Sequence, residues 1–310
     1  MDFDLTSEQL VLLSAVTPLI GQHKRLPEPA PPTYYSYGDA LDRDLAESGY
    51  YGDLTSFGLE RADAALVLEQ VAMCPLAVPA MASLIVAPAT FAQPPPRPIA
   101  LVPSLEPGPV RFLAQSRTAL IDAGDHVLQL DLTGASVETI ETIFAYPYAL
   151  LNQFDRSKAV VIDDVSPATF RNAWRLGLTY EILGAMRSAH DLTVDYVKQR
   201  EQFKRPIGSF QAVQHRLAED ATHIASVNYL AARAAWSGRP DDTALAATHA
   251  QKIAWQIIYN CHQFHGAMGL TLEYVLHHWT YRLKVLAGEL GGSSAQARAA
   301  TQSIWGARAA

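Results

Sequence analysis

The stretch Tyr196–Asp220, YVKQREQFKRPIGSFQAVQHRLAED, decides how the chain is read. Helix-forming sequence stops at Arg200-Glu201-Gln202-Phe203, crosses Pro206-Ile207-Gly208, and restarts at Ser209-Phe210-Gln211. Proline removes a helical hydrogen bond and glycine frees the backbone, so the break belongs to the sequence itself. Arg200 is permanently charged and offers a planar fork of donors suited to phosphate. Phe203 can supply an apolar wall or a ring face. Gln211 opens the next helix, where free backbone N–H groups and the dipole favour an anion. Together these suit a pyrophosphate carrying an aromatic base. The plainer alternative is an arginine complementing a helix dipole and a phenylalanine in the core, and spacing alone does not choose between them.

Working outward, Ser166-Pro167 opens the helical C-terminal third as a cap residue followed by proline at the first helical position. The spacing predicts helices over 167–201, 209–237, 241–266 and 270–287, with a last one from about 293. Val213, Leu217, Ile224, Val227 and Ala231 line one face of the second, and Ala250, Ile253, Ala254, Ile257, Ile258 and Cys261 one face of the third. Long helices with short connections make a bundle. Upstream, PPPRP at 94–98 marks a stiff boundary. Beyond it IALVP, VRFLA, TALID, HVLQLDL and AVVID are short and β-rich, with DAGD at 122–125 as a hairpin turn. A small, mostly antiparallel β domain is therefore expected over about 99–163. In the N-terminal part, Thr6 or Ser7 can cap a first helix carrying Leu10, Leu13, Val16 and Ile20 on its apolar face. A Pro-rich break, LPEPAPPTYYSYGDA (26–40), follows, and residues 40–92 read as further helices that Pro75 and Pro79 end or kink. The fold class expected is α+β: an N-terminal helical domain (1–93), a reduced β domain (94–165) and a C-terminal helical bundle (166–310).

The 310 residues are 49% hydrophobic and 18% charged with a net charge of −7, and no long basic run exists, which argues against a nucleic-acid surface. Cys74 and Cys261 form neither a disulfide framework nor a CxxC pair. The N-terminus lacks the basic region of a signal peptide, and no apolar run reaches the roughly 18 residues of a membrane span. A cytoplasmic protein is expected. His262 and His265 are i,i+3 neighbours and His277-His278 diverge, with no third ligand at metal spacing. No Gly-x-Ser-x-Gly elbow marks a hydrolase.

A second segment, CHQFHGAMGLTLEYVLHHWTYRLK (261–284), runs an apolar helix into Gln263-Phe264-His265-Gly266-Ala267-Met268-Gly269. Gly266 and Gly269 permit a positive φ or close backbone approach, as in a plain helix cap or against a ligand edge. Side by side, REQFKRPIGSFQAVQHRLAED and QFHGAMGLTLEYVLHHW resemble the two signatures of the acyl-CoA dehydrogenase family, and MDFDLTSEQLVLLSAV resembles its opening. That resemblance covers 166–310 strongly and 1–90 fairly. It implies FAD, with the flavin between the β domain and bundle of one subunit and its adenosine diphosphate end reaching a neighbour. It places Arg200 on the pyrophosphate, Phe203 beside it, Gln211 and Gln263–Ala267 on the same cofactor across the interface, and Ser293 on the chain's own flavin. Ala267 and Lys204 stand where the family usually has glycine.

The family's base, a glutamate that removes the α proton of an acyl-CoA, has two usual places. In ELGGSSAQAR one falls on Gly291, and in NAWRLGLTYE the other falls on Trp174, so no catalytic residue is assigned. Glu289, two residues before Gly291, is the alternative base, and Glu181 a weaker one. The segment that holds the isoalloxazine is reduced to VPSLEPGPV, with Glu106-Pro107-Gly108 and no Gly-Ser-Asp. The resemblance thus narrows to the short subunits of α2β2 acyl-CoA dehydrogenases of actinobacterial steroid catabolism. It implies a longer partner subunit, a steroid-derived acyl-CoA substrate and an electron-transfer flavoprotein as acceptor. The alternatives are a non-catalytic scaffold or acyl-CoA-binding relative, and a homo-oligomeric enzyme using Glu289.

Overall fold

The computed structural model describes residues 3–24, 34–52, 59–106, 108–151 and 158–306. Pro107 of the Glu106-Pro107-Gly108 relic and residues 26–33 of the Pro-rich break lie outside them.

Helix α1 (Ser7–Gly21) starts as the sequence demands. The Thr6 hydroxyl accepts the Gln9 backbone N–H at 3.2 Å while the Gln9 side chain accepts the Thr6 N–H at 3.1 Å, a reciprocal capping box. Its buried face is Leu12, Val16 and Ile20, with Leu10 56% exposed, so the helix is rotated from the face expected. Helices α2 (Asp39–Glu47) and α3 (Arg61–Ala72) follow. The stretch after α3 departs from the helical expectation. Strand β1 (Ser36–Tyr37) pairs in parallel with β2 (Leu76–Ala77). Pro75 and Pro79 on either side of β2 explain this, because each lacks an N–H and biases its predecessor toward extended backbone. A π-helical turn (Ala82–Val86) and the short α4 (Ala87–Thr90) close the N-terminal part.

The β region holds two sheets. In one, β3 (Ile99–Val102), β5 (Thr118–Asp122), β6 (Val127–Asp131) and β9 (Val160–Val161) lie in that order, with β3 and β5 parallel and the rest antiparallel. In the other, β8 (Tyr148–Leu151) lies between β4 (Val110–Arg111) and β7 (Val137–Ile140), all antiparallel. Alternate residues Ala100, Val102, Ala119, Ile121, Leu128 and Leu130 meet Val110 and Ala149 in a second, smaller core. DAGD forms the β5–β6 turn as expected. The expected strand VRFLA stops after Arg111, because Phe112 adopts φ +60° and turns the chain into a 3₁₀ turn.

The bundle comprises α5 (Pro167–Gln199), α6 (Gln211–Ser237), α7 (Pro240–His265), α8 (His277–Leu286) and α9 (Gly292–Trp305). At 33 residues α5 is about 50 Å long and packs on α6, α7 and α8, and on α3 as well. Gly184 permits the α3 crossing, since a Cβ there would collide with the Glu69 carbonyl and approach the Ala72 Cβ to 2.8 Å. Helix α8 begins seven residues later than expected, because Gly266–Leu270 winds into a 3₁₀ turn instead. No helix among the described residues is long and apolar enough to cross a membrane.

One side chain joins the three regions. Arg282 of α8 is 3% exposed and donates to the carbonyls of Cys74 (2.9 Å), Pro75 and Ala145 (3.2 Å). No carboxylate is among these partners, and burial lowers the pKa of its guanidinium. Arg282→Leu strands three buried carbonyls, at about 1–3 kcal/mol each. Urea denaturation of that variant is expected to show about 3–5 kcal/mol lost, against less than about 0.5 kcal/mol for the exposed Lys252→Ala.

Candidate functional site

Arg200 caps α5: its N–H donates to Tyr196 O at 2.8 Å and its carbonyl accepts from Ile207 N–H at 2.8 Å. Between these two bonds the chain makes a hairpin, β10 (Glu201–Gln202) against β11 (Arg205–Pro206). Its two-residue loop, Phe203-Lys204, lies in left-handed backbone at φ +54° and +63°. The loop therefore has the shape that glycine would favour at 204, with lysine in place. Arg200 and Gln211 are exposed, and Phe203 is 84% exposed. Phe203 meets Phe210 edge to face at 6.1 Å, and the Arg205 guanidinium lies 3.9 Å over Phe210.

The second segment comes to the same end of α5. The His265 ring stacks on Tyr196 at 4.3 Å, and Tyr274 packs against both. Gly266 ends α7 at φ +58°, ψ −139°, with open space where a Cβ would be. Gln263 and Ala267 on either side are exposed. Gly269 has another role, since its missing Cβ would press to 2.8 Å on His265. Arg200, Phe203, Gln211, Gln263, Gly266 and Ala267 thus gather on one open surface. An exposed fork of donors, an exposed ring and a backbone free of Cβ suit an anion joined to an aromatic base. Sequence spacing assigns no role to Tyr196, His265 and Tyr274, which clamp the two segments together. The signal for them is the aromatic residue one turn before Arg200 and another beside Gly266.

Ser293 is not among them. It is half-buried in the first turn of α9, whose Gln296 accepts from Arg175 Nε of α5 at 2.7 Å. There, near the other end of α5, lies a cavity of about 260 Å³ walled by Met81, Ala82, Ile99, Phe112, Tyr148 and Trp174. Both alternative bases line it, and both are bound. Arg111 of β4 meets Glu181 at 3.0 Å and Glu289 at 2.8 Å. Tyr146 OH donates to Glu181 at 2.6 Å, and Trp174 Nε1 donates to Glu289 at 2.6 Å. Burial alone would favour loss of the Arg111 proton, yet the two glutamates outweigh it and raise its pKa well above the ordinary value. Burial and Glu181 likewise raise Tyr146, so the hydroxyl stays a donor. Gly291 has φ +83°, and a Cβ there would stand 2.8 Å from that of Ala295. No group of three metal-ligating side chains occurs among the described residues.

Residues 168–304 match the acyl-CoA dehydrogenase C-terminal domain. The C-terminal bundle is an acyl-CoA dehydrogenase domain. The acyl-CoA dehydrogenase IpdE2 of Mycobacterium tuberculosis is 25% identical over 73% of this chain and 72% of its own length. The matches to three other curated relatives span only 25–34% of those proteins. Among solved structures, a chain of the ChsE4-ChsE5 complex from Mycobacterium tuberculosis has a TM-score of 0.75 at 21% identity, with 96% of this chain and 97% of that chain covered. The Tcur3481-Tcur3483 steroid ACAD gives a TM-score of 0.75 at 21% identity, covering 98% and 99%. The acyl-CoA dehydrogenase fold therefore runs the length of the chain.

Removing Arg111 leaves two buried carboxylates facing each other. Arg111→Met is expected to cost about 3–5 kcal/mol in urea denaturation, while Arg111→Met combined with Glu181→Gln and Glu289→Gln recovers part of that loss. The histidines behind the Gln263–Gly269 turn set an acid limit. Burial, then Lys284 and His265, lowers His262 to about 4, and burial, then Arg282 and His277, lowers His278 to about 2. Unfolded rings protonate near pH 6.5 and these folded ones do not, so stability is full above pH 6.5 and falls as pH drops below it. Urea midpoints at pH 7, 6 and 5 are expected to fall, and His278→Phe should flatten the slope by about 1.4 kcal/mol per pH unit below pH 6.

Proposed function

We propose that this chain is the short subunit of a hetero-oligomeric, FAD-dependent acyl-CoA dehydrogenase, and that it completes the flavin site of a longer partner. The observation that carries this reading is the separation of two half-sites along one rigid helix. The open surface at Arg200 and the cavity at Trp174 are 26 residues apart on α5, about 39 Å. An extended dinucleotide cannot bridge them, so a cofactor held at Arg200 places its ring outside this chain's own cavity.

The residues fit the adenosine diphosphate end. Arg200 offers its fork to the diphosphate, Phe203 its ring to the base, Gln211 and Gln263 their amides, and Gly266-Ala267 the bare backbone. FAD, when bound, supplies the acceptor for the hydride lost from the acyl chain as the enoyl thioester forms. The base belongs to the partner, because Glu181 and Glu289 are both engaged by Arg111 and a catalytic carboxylate must be free to reach the α carbon. Helix α7 supports a partner on the same face: Trp255 (54% exposed) and Tyr259 (60% exposed) lie eight and four residues before Gln263. The substrate class proposed is a bulky, steroid-derived CoA ester, in keeping with the steroid enzyme whose fold the chain shares. Electrons pass on to an electron-transfer flavoprotein.

Purified alone, the chain should be colourless and inactive. Co-expressed with its longer partner, it should yield yellow protein that dehydrogenates the thioester. In that complex Arg200→Ala is expected to weaken FAD retention at least tenfold with subunit association intact, measured by absorbance at 450 nm after gel filtration. Undiminished flavin would remove the grip from the proposal. A yellow, active lone chain would replace it with a homo-oligomer.

A further inference from the structure

We infer that Lys204 is a second cation of the nucleotide grip, an added determinant of how tightly the diphosphate is held, and this rests on the reading of Arg200 above. Two-residue hairpin loops of the type seen here have positive φ at both positions and favour Asn-Gly or similar pairs. This loop has Phe203 and Lys204 instead, both left-handed. A side chain in that conformation crowds its own carbonyl, and glycine at 204 relieves it at no cost to the hairpin. The ring of Phe203 has a use in keeping its place, as the exposed wall described above. Among the described residues, no hydrogen bond or ion pair of Lys204 offsets its strain. It is exposed and has no carboxylate partner among the described residues.

Its neighbours sharpen the point. Lys198 is paired with Asp195 at 3.3 Å. Arg200 and Arg205 are unpaired by any carboxylate among the described residues, and Arg205 is held over the Phe210 ring. Three cations against one carboxylate, Glu201, therefore stand within six residues at one hairpin, which leaves its tip with a net positive charge. Strain and like-charge crowding at one tip call for a compensating anion, and strain of this kind concentrates at ligand clamps. Lys204 supplies a point charge that follows a phosphate oxygen, beside the fixed fork of Arg200.

The test uses the complex with the longer subunit, with FAD as the probe, and three variants that separate charge from strain. Lys204→Gln keeps the left-handed side chain and removes the charge. It should weaken FAD binding about fivefold to tenfold and leave the Tm of the FAD-free complex unchanged. Lys204→Gly should weaken FAD to the same degree while raising the Tm of the FAD-free complex by about 2 °C. Lys204→Arg should hold FAD as the natural protein does. The loss should shrink as KCl rises from 50 to 500 mM, because exposed charges are screened. Wild-type FAD affinity in Lys204→Gln overturns the inference, as does a Gln variant that loosens subunit association while FAD affinity per complex stands. If Arg200→Ala also leaves FAD unchanged, the grip itself has failed. If Arg200→Ala strips FAD and Lys204→Gln does not, only the role of Lys204 falls.

Discussion

Tyr146 sits between two buried arginines, and the three parts of the chain are assembled around it. Arg111 lies 4.5 Å and Arg282 5.4 Å from the centre of its ring, and its hydroxyl donates to Glu181. Arg111 brings the β region, Glu181 the long helix α5, Glu289 the turn before α9, and Arg282 the N-terminal carbonyls. Two positive and two negative charges are balanced within this junction. A buried charge is costly unless paired, so each element is held in register by the penalty for leaving. The apolar cores fix which faces pack. This cluster fixes how the three regions meet.

That junction borders the cavity at Trp174, and both carboxylates that line it are held by Arg111. The other end of α5 has the opposite character. There the charged and aromatic side chains are exposed, and the hairpin spends conformational strain to present them. A side chain immobilised by two ion pairs serves the stability of the chain. A side chain held out on a left-handed loop adds little to that stability. On the function proposed above, this contrast between the two ends of one helix is that of a subunit that gives more to a neighbour's chemistry than to its own.

Much of this architecture is legible in the order of the residues alone. The capping box at Thr6 and Gln9, the DAGD turn and the Ser166-Pro167 start each rest on interactions between residues a few positions apart, and local chemistry is written in local sequence. The order of helical, β and helical parts follows from the change of hydrophobic period at 94–98. Strands β7 and β8 escape such a reading because Val137–Ile140 is largely solvated and Tyr148–Leu151 is short, so neither shows a clean alternation. The parallel β1–β2 pair joins residues forty apart in a stretch whose composition favours helix. The late start of α8 follows from Gly266 and Gly269, whose effect on the backbone outlasts the apolar periodicity of LTLEYVLHHW. In the site, Arg200, Phe203, Gln211 and Gln263 stand out by residue type. The Arg111–Glu181 pair does not, because its members are 70 positions apart and only the packed β region brings them together.

The backbone at Gly291 carries a further consequence. Its positive φ strains any side chain, and a Cβ 2.8 Å from the Ala295 methyl would force a neighbour to shift. A carboxylate placed there by a single codon change would meet that strain, and the turn before α9 would have to adjust, Ala295 and the Leu290 conformation with it. On the function proposed above, the backbone of this turn resists a return to self-sufficiency. If the chain works through a longer partner as proposed, selection on it acts through the pair.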